Sequence, residues 1–139
     1  MSDLIRFSVS LEPGLAKQLE HLVRGSRYTN RSEFVRDLIR ERLVQREWAD
    51  ARQPVVATIT LVYDHHQREL LDRLVKIQHH HAAHVLASTH VHLSHEMCAE
   101  MIMVRGKPTR IQQLADEMRK LRGVLHASLS TATTGATLR

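Results

Sequence analysis

Hydrophobic and polar residues alternate near the start of the chain. Phe7, Val9 and Leu11 fall on one side, and Arg6, Ser8 and Ser10 on the other. Period two predicts a short, half-buried strand over residues 4–11 with one polar face. Pro13-Gly14 breaks it. Leu15, Leu19, Leu22 and Val23 then recur at helical spacing, with Gly25 placed as the C-cap. Asn30-Arg31-Ser32-Glu33 has the form of an N-cap with its reciprocal glutamate, and Phe34, Leu38, Ile39 and Leu43 make the apolar stripe of the helix behind it. Residues 1–48 therefore read strand, helix, turn, helix. One strand cannot satisfy its own backbone, and so small a unit buries little surface. The simplest remedy is the same strand of a second copy, giving a symmetric two-stranded ribbon on four helices.

Residues 49–54 are polar and end in proline, which predicts a linker. Branched residues from Val55 to Tyr63 read as a strand. Leu70, Leu71, Leu74, Val75 and Ile77 lie at helical spacing within residues 66–82. Residues 85–93 alternate again, residues 98–104 are an apolar strand ended by Gly106, and Pro108 opens a helix carrying Ile111, Leu114, Ala115, Met118 and Leu121 with Gly123 as its cap. Residues 124–129 form a last strand. The fold class is α+β, and over residues 55–131 the order β-α-β-β-α-β is the ferredoxin-like split unit. Residues 132–139 are small and polar and are expected to be a flexible tail.

Composition adds limits. Of 139 residues, 42% are hydrophobic and 25% charged, within the range of a folded globular protein. No apolar run is long enough for a membrane span, and the single cysteine fits a reducing cytosol, so a cytoplasmic protein without membrane partners is expected. Net charge is +5, but it is spread thinly. Residues 1–50 carry nine Lys/Arg against eight Asp/Glu, and residues 51–139 eleven against seven. Such a balance permits binding to phosphates without demanding it. Histidine is the outlier: eleven in all, seven of them between His79 and His95.

That excess surrounds a pattern with chemistry. His90 and His92 are two apart, so on a strand both imidazoles share a face. Cys98 follows six positions later, on the strand that a hairpin would bring alongside. Two nitrogens and a soft sulfur suit a borderline transition metal rather than calcium or magnesium. A fourth ligand is missing locally. His79, His80, His81 and His84 stand at the end of the preceding helix, where they either complement the helix dipole or complete the site from the same or a neighbouring chain. Such a set can be tetrahedral for zinc or planar for nickel(II) or copper(II). With four protein ligands no position stays open, which favours a structural or sensing metal over a catalytic one, and no general base lies within motif distance; the chain is not expected to be an enzyme. His65, His66, His95 and His126 read as surface or core histidines outside the site. Trp48 reads as packing, and Tyr63 and Glu100 as groups that orient ligands.

Four stretches together resemble the NikR-type nickel-responsive transcriptional repressors: residues 6–11, Asn30-Arg-Ser-Glu33 with Asp37, Gln78-His-His-His81, and residues 89–98 with His90, His92 and Cys98. The resemblance implies an N-terminal ribbon-helix-helix domain and an ACT-like C-terminal domain in a homotetramer, a dimer of dimers. It implies one nickel(II) per chain, bound in a square plane by His90, His92, Cys98 and the facing subunit's counterpart of His79. It implies operator DNA as partner, read in the major groove by Arg6, Ser8 and Ser10, with Asn30 and Arg31 at a phosphate. It also implies a second cation held at Glu33 and Asp37. The expected role is repression of nickel-uptake genes. Serines at positions 8 and 10 depart from the threonines of some members and remove a methyl contact to thymine. The histidine run, interrupted here by Ala82-Ala83, departs as well. A ribbon-helix-helix regulator whose second domain answers to another metal or a small molecule is the alternative.

Overall fold

The computed structural model describes residues 3–81 and 83–138. The chain divides into two compact units, Met1–Glu41 and Arg42–Arg139. The division falls seven residues before the expected domain end at 48, inside one helix.

In the first unit, α1 spans Pro13–Gly25 and α2 begins at Arg31. Pro13 sits at the helix start, where its missing N–H costs nothing. Gly25 is not the C-cap. It ends the helix, and Ser26 caps it in extended conformation, with its N–H on Leu22 O at 3.0 Å and its hydroxyl on Val23 O at 2.6 Å. Asn30 does cap α2: its Oδ1 accepts the Glu33 N–H at 2.9 Å. The return half of the capping box is replaced, since the Glu33 carboxylate accepts from the Thr29 hydroxyl at 3.2 Å. Phe34 is the one buried hydrophobic side chain of this unit among the described residues, edge-on to Tyr28 with ring centroids 5.7 Å apart. Residues 3–12 form no strand in the single chain. Leu4, Ile5, Phe7 and Val9 are all exposed there, as expected of a strand whose pairing partner belongs to another molecule.

Helix α2 runs Arg31–Asp50, so the expected linker loses its first two residues to helix. Trp48 accounts for the extension. Its ring packs on the core of the second unit, and its Nε1 donates to Ala132 O at 2.8 Å. Ala51 then takes a left-handed φ of 56°, the backbone that ends many helices and that glycine would adopt more cheaply.

The second unit continues with β1 (Val55–Asp64), α3 (Arg68–His80), β2 (His84–His92), β3 (Met97–Gly106), α4 (Pro108–Arg119) and β4 (Val124–Thr131). The sheet order is β2-β3-β1-β4, antiparallel throughout. Alternate residues of β1, from Val55 to Tyr63, are fully buried beneath Leu70 and Leu74 of α3 and Ile111, Leu114, Ala115 and Met118 of α4. Helix α4 stops at Arg119 rather than reaching a cap at Gly123. Gly123 instead turns the chain into β4 at φ 101°, where an added Cβ would lie 2.5 Å from Gln67 Oε1. The expected loose tail has contacts: beyond β4, the Ala132 N–H donates to Val56 O at 2.8 Å.

Candidate metal centre

Strict alternation along β2 would put His90 and His92 on the face opposite Val85. A bulge changes this. Val85 pairs with Val104, but Ala87 pairs with Met103, so Leu86 is an extra residue. Beyond the bulge the even positions face the helices: Ser88 opposite Ile102, His90 opposite Glu100, His92 opposite Cys98. Because one residue of slip moves every later side chain to the other face, the bulge is what puts both imidazoles on the same face of the sheet as the thiol. Along the other edge of β3, Tyr63 pairs with Cys98 and Leu61 with Glu100 through β1.

Cys98 is fully buried at the meeting of β1 and β3, and its Sγ lies 3.3 Å from His92 Nδ1. Burial first, and then the charge of Asp64, push the thiol above its ordinary range. A metal ion at this sulfur has to replace that proton, the ordinary route by which thiols become ligands. The His90 ring centroid is 5.0 Å from that of His92.

His90 is held from behind. Its Nδ1 is 3.1 Å from the Tyr63 hydroxyl, which lies 3.1 Å from Glu100 Oε2. Glu100 also accepts from Gln78 Nε2 at 3.1 Å and from the Ser88 hydroxyl at 2.7 Å. A carboxylate only accepts, so the tyrosine proton points at Glu100 and the phenol oxygen accepts from His90 Nδ1–H. That leaves Nε2 as the free lone pair of His90, the tautomer a metal ligand needs. Burial, reinforced by the Glu100 charge, raises Tyr63 above the usual tyrosine range and keeps its hydroxyl protonated. Tyr63 and Glu100 thus stand where a ligand-orienting pair would. Gln78 of α3 and Ser88 of β2 complete the support, and the part of Ser88 carries no sequence signal until the bulge is known.

One neighbour departs from expectation. His65, placed outside the site by sequence, has a ring nitrogen that lies with His92 and Cys98 in a group of three potential ligand atoms all within 4.8 Å of one another. The turn after β1 brings it there: the His65 N–H donates to Glu96 O at 3.1 Å, and Nδ1 sits 2.9 Å from the same carbonyl. Since a carbonyl only accepts, His65 also presents a free Nε2. His79 is exposed near the end of α3, and neither it nor His90 joins such a group among the described residues. The donor set of two imidazoles and a thiol, backed by a tyrosine and a carboxylate, fits a borderline transition metal.

The other expected residues lie in the first unit. Arg6, Ser8 and Ser10 are exposed on the unpaired segment. Asn30 caps α2, and Arg31 forms an ion pair with Glu20 of α1 at 2.5 Å. The Asp37 carboxylate accepts from the Tyr28 hydroxyl and from Arg40 at 2.9 Å, contacts that hold it below the usual carboxylate range. Glu33, Asp37, Tyr28, Arg36 and Arg40 line a cleft of about 390 Å³. In the single chain both carboxylates already have partners.

The sheet order of the second unit, with two helices on one face, is that of an ACT-like domain. It superposes with a TM-score of 0.50 on the ACT domain of a GTP pyrophosphokinase from Chlorobium tepidum, 15% identical, covering 55% of this chain and 99% of that one. Residues 5–46 match the ribbon-helix-helix protein family of copG type, and residues 56–132 match the NikR C terminal nickel binding domain. The two matches therefore define a DNA-binding regulator with a nickel-binding domain, not an enzyme. Relatives agree along their full length. A protein of Syntrophus aciditrophicus described as a candidate nickel-responsive regulator is 44% identical over 97% of this chain and 98% of its own. Another so described, from Geobacter sulfurreducens, is 43% identical over 99% of each. The chain belongs to the NikR family of nickel-responsive regulators.

Proposed function

We propose that this chain represses nickel-uptake genes in the cytoplasm as a homotetramer, binding one nickel(II) per chain at sites closed by two subunits. His90, His92 and Cys98 supply three ligands, and the exposed His79 of another chain supplies the fourth. The observation that carries this reading is the arrangement on β2 and β3, in which His92 lies against the buried thiol, His90 shares its face of the sheet and the Tyr63–Glu100 pair leaves His90 Nε2 free. Bound nickel supplies a bridge between chains. The protein's part is to hold the imidazoles in the ligating tautomer and to surrender the Cys98 proton. The other sheet face supports an assembly: Val91, Met101 and Met103 are each more than 40% exposed there.

On this reading the ribbon closes when residues 4–11 pair with the same segment of a second chain. Arg6, Ser8 and Ser10 then enter the major groove together, while Asn30 and Arg31 approach the backbone phosphates. Glu33 and Asp37 take up a second cation only where DNA contact releases Tyr28 and Arg40. Nickel and operator each raise the other's affinity.

The proximity of His65 to His92 and Cys98 favours a second reading, in which His65 rather than His79 completes the site within one chain. The two separate by substitution. Nickel-dependent operator binding should vanish in Cys98→Ala on either reading, and its survival would remove the assigned site. Loss of the nickel–thiolate absorption bands in His79→Ala, with their retention in His65→Ala, is expected; the reverse pattern selects the closed site within one chain.

A further inference from the structure

We infer that the C-terminal tail, residues 132–138, is a strap that fixes the root of α2 to the nickel-binding sheet and sets how strongly nickel controls DNA binding. The second part rests on the function proposed above; the first does not. The tail leaves β4 still paired with β1, its Ala132 N–H on Val56 O at 2.8 Å. The same residue turns its carbonyl to the Trp48 indole N–H at 2.8 Å. One tail residue therefore bridges the central strand and the last turn of α2.

The chain then reverses. Thr133 Oγ1 accepts the Gly135 N–H at 3.0 Å, Gly135 adopts φ 80°, and the Leu138 N–H returns to Gly135 O at 3.2 Å. This turn brings the Thr137 hydroxyl onto Glu47 Oε1, one residue before Trp48. Between tail and helix lies a cleft of about 550 Å³ whose walls include Arg46, Glu47, Asp50, Arg105 and Thr134. Glu47 Oε2 is buried in this region with no hydrogen-bond partner among the described residues. A half-satisfied carboxylate is tolerated where surrounding contacts hold it, and the Thr137 hydroxyl is the contact that holds Glu47.

The strap has something to restrain. Directly after Asp50 the backbone passes through Ala51 at φ 56°, a conformation that a side chain disfavours and that relaxes if the helix end is let go. Besides the strap, Trp48 packing and residues 51–54 tie α2 to the sheet. α2 is one helix from Arg31 to Asp50, so the turns that the strap holds are continuous with the turns that carry Glu33 and Asp37. The small, polar residues of the tail suit such a role: its contacts are hydrogen bonds that form and break without exposing core.

The test uses the full chain and two variants. A stop after Thr131 removes the strap but keeps all of β4; Thr137→Val keeps the strap and removes one hydroxyl. Amide exchange of residues 43–50 is expected to quicken by about tenfold or more in the truncated chain and by a smaller factor in Thr137→Val. Nickel affinity should stay within about twofold, since no ligand is touched, while the ratio of operator affinities with and without nickel falls by about tenfold, within the usual span of allosteric couplings. Unchanged exchange at 43–50 in the truncated chain overturns the strap. Faster exchange with an unchanged nickel ratio overturns its part in coupling. Should the wild-type chain itself show no nickel dependence, the proposed function fails, and exchange at 43–50 alone decides the strap.

Discussion

The two units of the chain differ in what each lacks. The first, Met1–Glu41, buries one hydrophobic side chain among its described residues, Phe34, and leaves Leu4, Ile5, Phe7 and Val9 open to solvent. The second encloses a cluster running from Val55 to Met118 in which most members are fully buried. Hydrophobic burial is the main favourable term in folding, so the second unit has what it needs within one chain and the first does not. The metal centre reverses the comparison. It lies in the self-sufficient unit, yet on the proposed reading it is there that one chain falls a ligand short. One unit is then incomplete as a fold and the other as a site, and a second copy supplies both.

The largest effect expected from pressing on this difference is in the second unit's core. Leu114→Ala should cost about 2–5 kcal/mol, as buried leucines do, and a thermal melt should show it even at concentrations where chains are dissociated. A concentration-dependent loss instead would mean that this unit also needs a partner. Next comes Phe7→Ser, which removes apolar surface that only a second chain can cover. About 1.5–3 kcal/mol should be lost per copy, read as weaker operator binding and lower dimer stability, with the nickel absorption spectrum unchanged. If Phe7→Ser melts like wild type at every concentration and binds operator equally well, residues 4–11 do not pair as proposed. The smallest effect sharpens the site. Tyr63→Phe keeps the ring and removes the hydroxyl between His90 and Glu100, and nickel affinity measured by titration should fall by about tenfold, the low end for a ligand-orienting group. No change would detach Tyr63 from the site.

Much of this was legible in the residues, and what was not has identifiable causes. Period-two and helical spacing located every element of the second unit, because its strands and helices each bury one face against a single core. That His90 and His92 share a face, with Cys98 beside His92 on the next strand, was legible because strand parity and hairpin spacing are local. The face those histidines occupy was not. It depends on the extra residue at Leu86, and nothing in Val85-Leu86-Ala87 announces a bulge. His65 was passed over for a similar reason: its approach to Cys98 follows from the pairing of Tyr63 with Cys98, a register between strands 35 residues apart in sequence. Trp48 was read as packing, correctly, but its indole N–H reaches Ala132, and a contact across most of the chain leaves no trace in local pattern. The same contact explains why α2 outruns its expected end and why the tail is tied down.

The central claim is that one chain's His90, His92 and Cys98 share a nickel with another chain's His79. Mixing two defective chains tests it most directly. His79→Ala keeps the trio and lacks the fourth ligand; Cys98→Ala keeps His79 and lacks the thiol. Each alone should fail to give the nickel–thiolate absorption of the wild type. Unfolded together, refolded and loaded with nickel, they should regain a fraction of it, because sites pairing the trio of one chain with His79 of the other are whole. No recovery in the mixture, or full absorption from His79→Ala alone, would contradict a site shared between chains.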